Sequence, residues 1–206
     1  MIPSYCRVER VIRDIPAQSI IEGGAKISNL RQIVQNKILA EGKHCICIRC
    51  REVKSSAMNM DDLRIVRLDY PASYGHEIFL SFENGAQTKL YSFLRLRINN
   101  SNAKTCSALQ NSAIIREIHT YGPQMAIGQT EKNAIQHRGL GRKLVNEAQK
   151  IASEEFGKQK MAVIAGVGVR PYFRKLGYIL EKTYMVKELE QKVEGRSASK
   201  KVESRK

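Results

Sequence analysis

The order of periodicities along the chain predicts an α+β fold: a mixed, mostly antiparallel sheet flanked by helices, preceded by a helical arm and a small metal-binding segment. Three observations carry that prediction. Four strand-like runs follow one another between Leu63 and Tyr121 with no helix between them. An amphipathic helix and a short apolar strand come only afterwards, and three cysteines crowd together ahead of the first strand. With 206 residues the chain has room for one good core and a small subdomain, which excludes a large two-domain enzyme.

Residues 1–44 read as a basic arm and a helix. Arg7, Arg10 and Arg13 recur every third residue before the Gly23-Gly24 break. Ser28 is placed to cap a helix through about Glu41, because Leu30, Ile33, Val34 and Ile38 recur at helical spacing and Gly42 follows. Arg31 and Lys37 fall off that apolar stripe. Residues 45–62 hold the cysteine cluster and a polar loop. From Leu63 the chain reads as strands over 63–70, 76–82, 89–98 and 113–121, punctuated by Gly75, Asn84-Gly85 and Gly122-Pro123 and forming an antiparallel meander. Leu140, Leu144, Ala148, Ile151 and Ala152 then share one face of a helix that Gly157 ends. A short apolar strand over 161–165, a short helix from Arg170 stopped by Gly177, and one last strand over 178–186 complete a domain spanning 63–187. Residues 188–206 form a charged tail without apolar periodicity, predicted to be disordered.

Composition narrows the function. Lys and Arg number 35 against 20 Asp and Glu, a net charge of +15 spread along the whole chain, which favours polyanionic partners such as nucleic acid or a phosphorylated cofactor. No segment approaches the roughly 20 consecutive apolar residues that span a bilayer. The N-terminus lacks the basic head and apolar run of a secretory signal. The expectation is a soluble, cytoplasmic protein without a membrane partner.

Of the five cysteines, Cys45, Cys47 and Cys50 lie close enough that a knuckle-like turn can aim all three at one tetrahedral ion. Zinc with a fourth ligand from elsewhere fits this set, in a structural role; free thiols are the alternative. His44, His76, His119, His137, an acid or a water could each supply the fourth ligand, and the spacing does not choose. Cys6 and Cys106 stand alone.

The stretch Gln136-His137-Arg138-Gly139-Leu140-Gly141 enters the amphipathic helix. A helix N-terminus presents unpaired N–H groups and a positive dipole end, and glycines let a pyrophosphate approach the backbone. Arg138, Arg142 and Lys143 add charge there. Because several strands precede it, this is not a dinucleotide-binding β-α-β turn. Glycines that merely open a helix are the plainer reading.

Strands, this turn, a helix, a strand, a short helix and a final strand resemble the acetyl-CoA site of the Gcn5-related N-acetyltransferases, in which the turn holds the coenzyme pyrophosphate. The segments 116–122 (Arg-Glu-Ile-His-Thr-Tyr-Gly), 162–170 (Ala-Val-Ile-Ala-Gly-Val-Gly-Val-Arg) and 172–178 (Tyr-Phe-Arg-Lys-Leu-Gly-Tyr) sharpen the likeness. With matches at 11–16, 29–32, 50–53 and 184–187, they resemble the C-terminal acetyltransferase domain of the Elongator catalytic subunit family, over nearly everything before the tail.

That resemblance implies a Gcn5-related N-acetyltransferase-like fold and a part in modifying the wobble uridine (U34) of tRNA at C5. It implies acetyl-CoA contacts at Glu117, Ile118, His119 and Thr120, at the turn residues Gln136, Arg138, Gly139, Leu140, Gly141 and Arg142, and at Tyr172 and Phe173. In the family a radical S-adenosylmethionine domain activates the acetyl methyl carbon, and thioester hydrolysis releases the product. The three-cysteine iron-sulfur signature of that domain is not in this sequence, where the clustered triplet matches the family's zinc segment. The expectation is therefore no iron-sulfur cluster in this chain, and a radical domain in the parent protein or in a separate partner.

Tyr172 is the candidate catalytic acid, since a phenol near the thioester sulfur can protonate a departing thiolate; aromatic packing beside the coenzyme is the alternative. The family has two adjacent tyrosines where this chain has Tyr172-Phe173. Glu117, His119 and Tyr121 share a strand face by alternation, so Glu117 or His119 could position water or substrate, or each could be structural. Two other functions compete: a protein lysine or small-amine N-acetyltransferase with Glu117 as base, and a non-catalytic tRNA-binding module in which Arg7, Arg10, Arg13 and Arg31 contact phosphates.

Overall fold

The computed structural model describes residues 2–11, 17–19, 21–22, 29–54, 61–99, 106–122 and 139–190. Arg13, Ser28, Gln136, His137, Arg138 and the tail beyond residue 190 lie outside the described residues. Two helices, α1 (Leu30–Ala40) and α2 (Ile48–Arg51), precede four long strands: β1 (Leu63–Ala72), β2 (Gly75–Asn84), β3 (Leu90–Asn99) and β4 (Ser112–Thr120). Then come α3 (Leu140–Glu154), β5 (Lys160–Val163), α4 (Arg170–Lys175), β6 (Ile179–Glu181) and β7 (Tyr184–Glu188). The strands form one seven-stranded sheet in the order β1-β2-β3-β4-β5-β7-β6.

The expected class is what the backbone adopts. The connections β1 to β2 and β2 to β3 are too short for a parallel crossover, so those pairs are antiparallel. Across β3 and β4, the Tyr121 N–H reaches the Tyr91 carbonyl at 2.8 Å, the Ser92 and Thr120 hydroxyls lie 3.0 Å apart, and Arg95 meets Glu117. Partners therefore descend on one strand as they rise on the other. The β4–β5 pair is parallel, in register from Ser112↔Lys160 to Ile115↔Val163, with α3 as the crossover. β7 runs antiparallel to both β5 and β6.

Helix α3 buries Leu140, Leu144, Ala148, Ile151 and Ala152, as its periodicity predicts. It ends where Gly157 takes φ +58° and the Lys158 N–H turns back to the Ala152 carbonyl at 2.9 Å. Two expectations need correction. The last strand is not continuous over 178–186: Lys182 adopts φ +55° and folds it into the hairpin β6–β7. The apolar stripe of α1 is not core either. None of its residues is buried among the described residues, and Ile33 and Val34 are exposed, because Arg31 and Gln35 turn toward the cysteines instead. No described helix is long and apolar enough to cross a membrane.

Two compact units are distinguishable. One comprises residues up to Tyr70 with Ile78–Arg95 and Glu117–Leu144; its core is Ile48, Phe79, Leu90 and Phe93, with Tyr5, Leu68, Tyr70 and Tyr121 against it. The other comprises Pro71–Glu77, Leu96–Arg116 and the chain from Val145 on; its core is Ala108, Ile114, Ala162 and Val186, with Cys106, Leu109 and Tyr184 packed on them.

Candidate functional site

The cysteine triplet forms because α2 starts inside it. The Cys47 carbonyl accepts the Cys50 and Arg51 N–H groups, and this tight turn brings the Cys45, Cys47 and Cys50 sulfurs within 4.8 Å of one another. Tetrahedral Zn–S bonds of about 2.3 Å place sulfurs roughly 3.8 Å apart, so the three donors fit such an ion with little adjustment. Two side chains from α1 donate to Cys50 Sγ: Gln35 Nε2 at 3.2 Å and Arg31 Nη2 at 3.5 Å. The thiols are already differentiated. Burial, then the neighbouring thiols, pushes Cys45 up to about 11. Burial acts the same way on Cys47 but is outweighed by the Val8 and Cys50 N–H groups and the adjacent thiols, which bring it down to about 7.

Behind the triplet, Arg51 is buried against Glu83, with Nη1 and Oε2 2.6 Å apart, and the Ser81 hydroxyl donates to the other Glu83 oxygen at 2.7 Å. The arginines of this region also grip the N-terminal arm by its carbonyls. Arg51 Nη2 donates to Ser4 O at 2.9 Å, Arg95 Nη2 to Tyr5 O at 2.7 Å, Arg31 Nη1 to Val8 O at 2.7 Å, and Arg49 Nη1 to Glu9 O. Arg7 bridges Glu52 at 2.6 Å and the Tyr121 hydroxyl at 2.9 Å. Two of the arginines expected to meet phosphates, Arg7 and Arg31, are therefore engaged within the chain, while Arg10 is exposed.

Strand β4 changes character along its length. Ser112–Ile115, paired with β5, are buried; from Arg116 on, beyond the last β5 pair at Ile115↔Val163, the residues are exposed or half-buried. Among the described residues, Glu117–Thr120 thus pair along the β3 edge only. Glu117 is held by Arg95 Nε at 2.8 Å, and Arg95 is fixed over the Phe79 and Phe93 rings. The His119 and Tyr121 rings lie 4.5 Å apart. Burial, more than any neighbouring charge, raises the Tyr121 phenol to about 12. Thr120 is tied to Ser92, whose hydroxyl also donates to the His119 carbonyl at 2.9 Å.

Gly139 precedes α3 with φ +70° and open space where a side chain would start, a conformation that favours glycine. Its carbonyl accepts the Lys143 N–H at 3.0 Å, so Leu140, Gly141 and Arg142 form the opening turn, which carries no acidic residue. In the other unit, Tyr172 is partly exposed on α4 and meets Phe173 edge-on at 5.1 Å. Phe173 is a core residue, 2% exposed, packed edge-on against Tyr178 at 5.5 Å; a hydroxyl at this position would point into packing rather than solvent.

No protein-family model matches the chain. It is 43% identical to the tRNA uridine(34) acetyltransferase of Dehalococcoides mccartyi over 201 residues, covering 92% of this chain and 42% of that protein. It is 38% identical to Elongator complex protein 3 of Dictyostelium discoideum over 193 residues, covering 92% and 34%. The solved archaeal Elp3 of Methanocaldococcus infernus, lacking its first 46 residues, shares the fold with a TM-score of 0.79 at 39% identity, over 92% of this chain and 46% of that one. Over 92% of its length the chain is similar to tRNA uridine(34) acetyltransferases and to Elongator complex protein 3.

It spans less than half the length of these relatives. As in the sequence resemblance to the Elongator protein 3 family, Glu117–Thr120 lie together on one strand, Gly139–Arg142 on one turn and the three cysteines in one cluster. Tyr172 and Phe173 sit on α4, with only Tyr172 presented outward. Sequence reasoning missed Arg95, Gln35 and the Arg51–Glu83 pair. A basic residue in a strand reads as solvated charge, and its only advance signal here is the aromatic Phe79 and Phe93 that Arg95 covers.

Proposed function

We propose that this chain is the acetyl-CoA-binding acyltransferase portion of an enzyme that modifies the wobble uridine (U34) of tRNA at C5 in the cytoplasm, and that it hydrolyses acetyl-CoA in response to tRNA. The observation that carries the reading is the split character of β4: a buried, paired half followed by an exposed half bearing Glu117–Thr120. An extended thioester arm can lie along such an edge as an added strand, accepting and donating main-chain hydrogen bonds. The turn at Gly139–Arg142, with Gln136 and Arg138 before it, would take the pyrophosphate through N–H groups and positive charge.

The coenzyme supplies an activated acetyl carbonyl. With the coenzyme bound, Glu117, oriented by Arg95, would position the attacking water and accept its proton, and Tyr172 would be the candidate donor of a proton to the departing thiolate. Phe173 supports Tyr172 from the core. Cys45, Cys47 and Cys50 would hold a structural zinc that fastens α1 and the arm. Exposed Arg10, with Arg13, and Arg7 and Arg31 if released from their internal partners, are the candidate tRNA contacts. A radical S-adenosylmethionine domain, in the parent protein or a partner, would complete the uridine chemistry.

Isothermal titration with acetyl-CoA, followed by thiol-release assays with tRNA, a lysine peptide or neither, tests this. Saturable binding and tRNA-stimulated release are expected, and the tRNA effect should weaken steeply with salt as counterions are released. Peptide-stimulated release would replace the reading with a lysine N-acetyltransferase. Absence of coenzyme binding but retention of salt-sensitive tRNA binding would leave a tRNA-binding module.

A further inference from the structure

We propose that the N-terminal arm over Tyr5–Arg7 is a positioning element for the exposed half of β4, with Arg95 as its pivot. The inference rests on reading that half of β4 as the thioester site. The Arg95 guanidinium lies 5.3 Å from the Phe79 ring centre and 5.5 Å from that of Phe93, which fixes its plane. From that plane it points three ways: to Glu117 Oε2 at 2.8 Å, to the Tyr5 carbonyl at 2.7 Å and to the Tyr70 hydroxyl at 3.4 Å. The group that orients the Glu117 carboxylate is therefore anchored at its far end by the arm.

A second linkage runs in parallel. Arg7 donates to the Tyr121 hydroxyl, and the Tyr121 ring packs on His119. Each polar side chain that β4 offers as acid or base is thus one intermediary away from the arm. The arm contributes no group to the chemistry. It is itself docked by the Tyr5 ring, stacked nearly parallel on Tyr70 at 3.9 Å, and by the Cys6 carbonyl, which accepts the Ile48 N–H at 2.9 Å. Lysine could not replace Arg95, because its donors sit on one nitrogen, whereas Arg95 reaches its three acceptors from three separate nitrogens, Nε, Nη1 and Nη2.

Hydrogen exchange on the whole chain tests the coupling, with Tyr5→Ala, Tyr5→Phe and Arg95→Lys compared. Tyr5→Ala removes the stack without touching β4, so exchange at 117–121 should quicken by about three- to tenfold together with that of the arm. Tyr5→Phe keeps the stack and should match the parent, and Arg95→Lys should reproduce the β4 effect. In thioester hydrolysis both disruptive variants should lower kcat at unchanged KM. Unchanged α3 protection marks each effect as local; if Tyr5→Ala disturbs α3, Tyr5→Leu takes its place. Exchange that quickens in the arm while 117–121 keep the parental rate overturns the proposal. A parent chain that binds no acetyl-CoA overturns the functional reading instead, and the exchange result still decides the coupling.

Discussion

The core around Phe79 and Phe93 is aromatic and bound up with cations, whereas the core around Ala162 and Val186 is built of small aliphatic side chains. In the first, Arg95 covers two rings, Arg51 is buried against Glu83, and guanidinium groups hold the arm by its carbonyls. In the second, apolar packing is supplemented by the buried Glu77, which meets Arg116 at 2.6 Å and Arg97 at 3.4 Å, and by the tie of Gln149 to the Tyr178 hydroxyl at 2.7 Å. Directed contacts fix geometry narrowly but leave unpaired charge when one member is lost; apolar packing tolerates change in proportion to the volume removed. The unit that bears Glu117–Thr120 and the cysteines uses such directed contacts to hold both its arm and Glu117.

The largest test of that contrast removes the metal site. Purified without added zinc, the parent should carry about one ion per chain, and chelation or Cys47→Ser should abolish it; structural zinc in small folds is worth roughly 10–16 kcal/mol in apparent binding at neutral pH. Exchange protection should then fall in α1, α2 and the arm while β5 and β7 keep theirs. A metal-free chain with full protection in α1 would break the comparison.

Next, Glu83→Ala strands Arg51 in the interior and should lower stability by about 3–5 kcal/mol. Val186→Ala in the aliphatic core should lower it by only about 2 kcal/mol, measured by urea unfolding. The reverse order would mean that the ion pair is not what holds α2 to β2.

The smallest effect concerns alkali. Burial raises the Tyr178 phenol well above the ordinary value of 10.0, and that of Tyr121 to about 12. Above pH 10 the unfolded chain releases protons that the folded chain retains, so the stability from these groups is complete below that pH and is lost as pH rises through the folded values. Tyr178→Phe forfeits about 1 kcal/mol at neutral pH with its hydrogen bond, and its stability should decline less between pH 9 and 11. An unchanged slope would show that Tyr178 does not govern the alkaline limb.

Much of this architecture is legible from periodicity. The four long strands and α3 fall where their apolar, β-branched and aromatic runs and the 3.6-residue repeat place them, although β2 and much of β3 are buried on both faces rather than one. Failures occur where another requirement prevails. The α1 stripe reads as core, yet Arg31 and Gln35 are needed at the Cys50 sulfur, a demand that hydrophobic spacing cannot express. The β6–β7 turn carries Lys182 at positive φ, where no glycine, asparagine or proline announces it. The cysteine triplet and the glycine turn were readable because their chemistry is local. The orientation of Glu117 was not, since it depends on an arginine 22 residues away in sequence.

Strand β4 is fixed like a cantilever: clamped between two neighbours over Ser112–Ile115 and, among the described residues, held by β3 alone as it projects beyond β5 over Glu117–Thr120. The clamped portion forms with the core, so the projecting portion is already extended before any ligand arrives, and little conformational entropy remains to be lost on binding. A substitution at the clamp, such as Ile115→Ala, would then alter recognition at residues it never touches, by changing the stiffness of the beam rather than the shape of its tip.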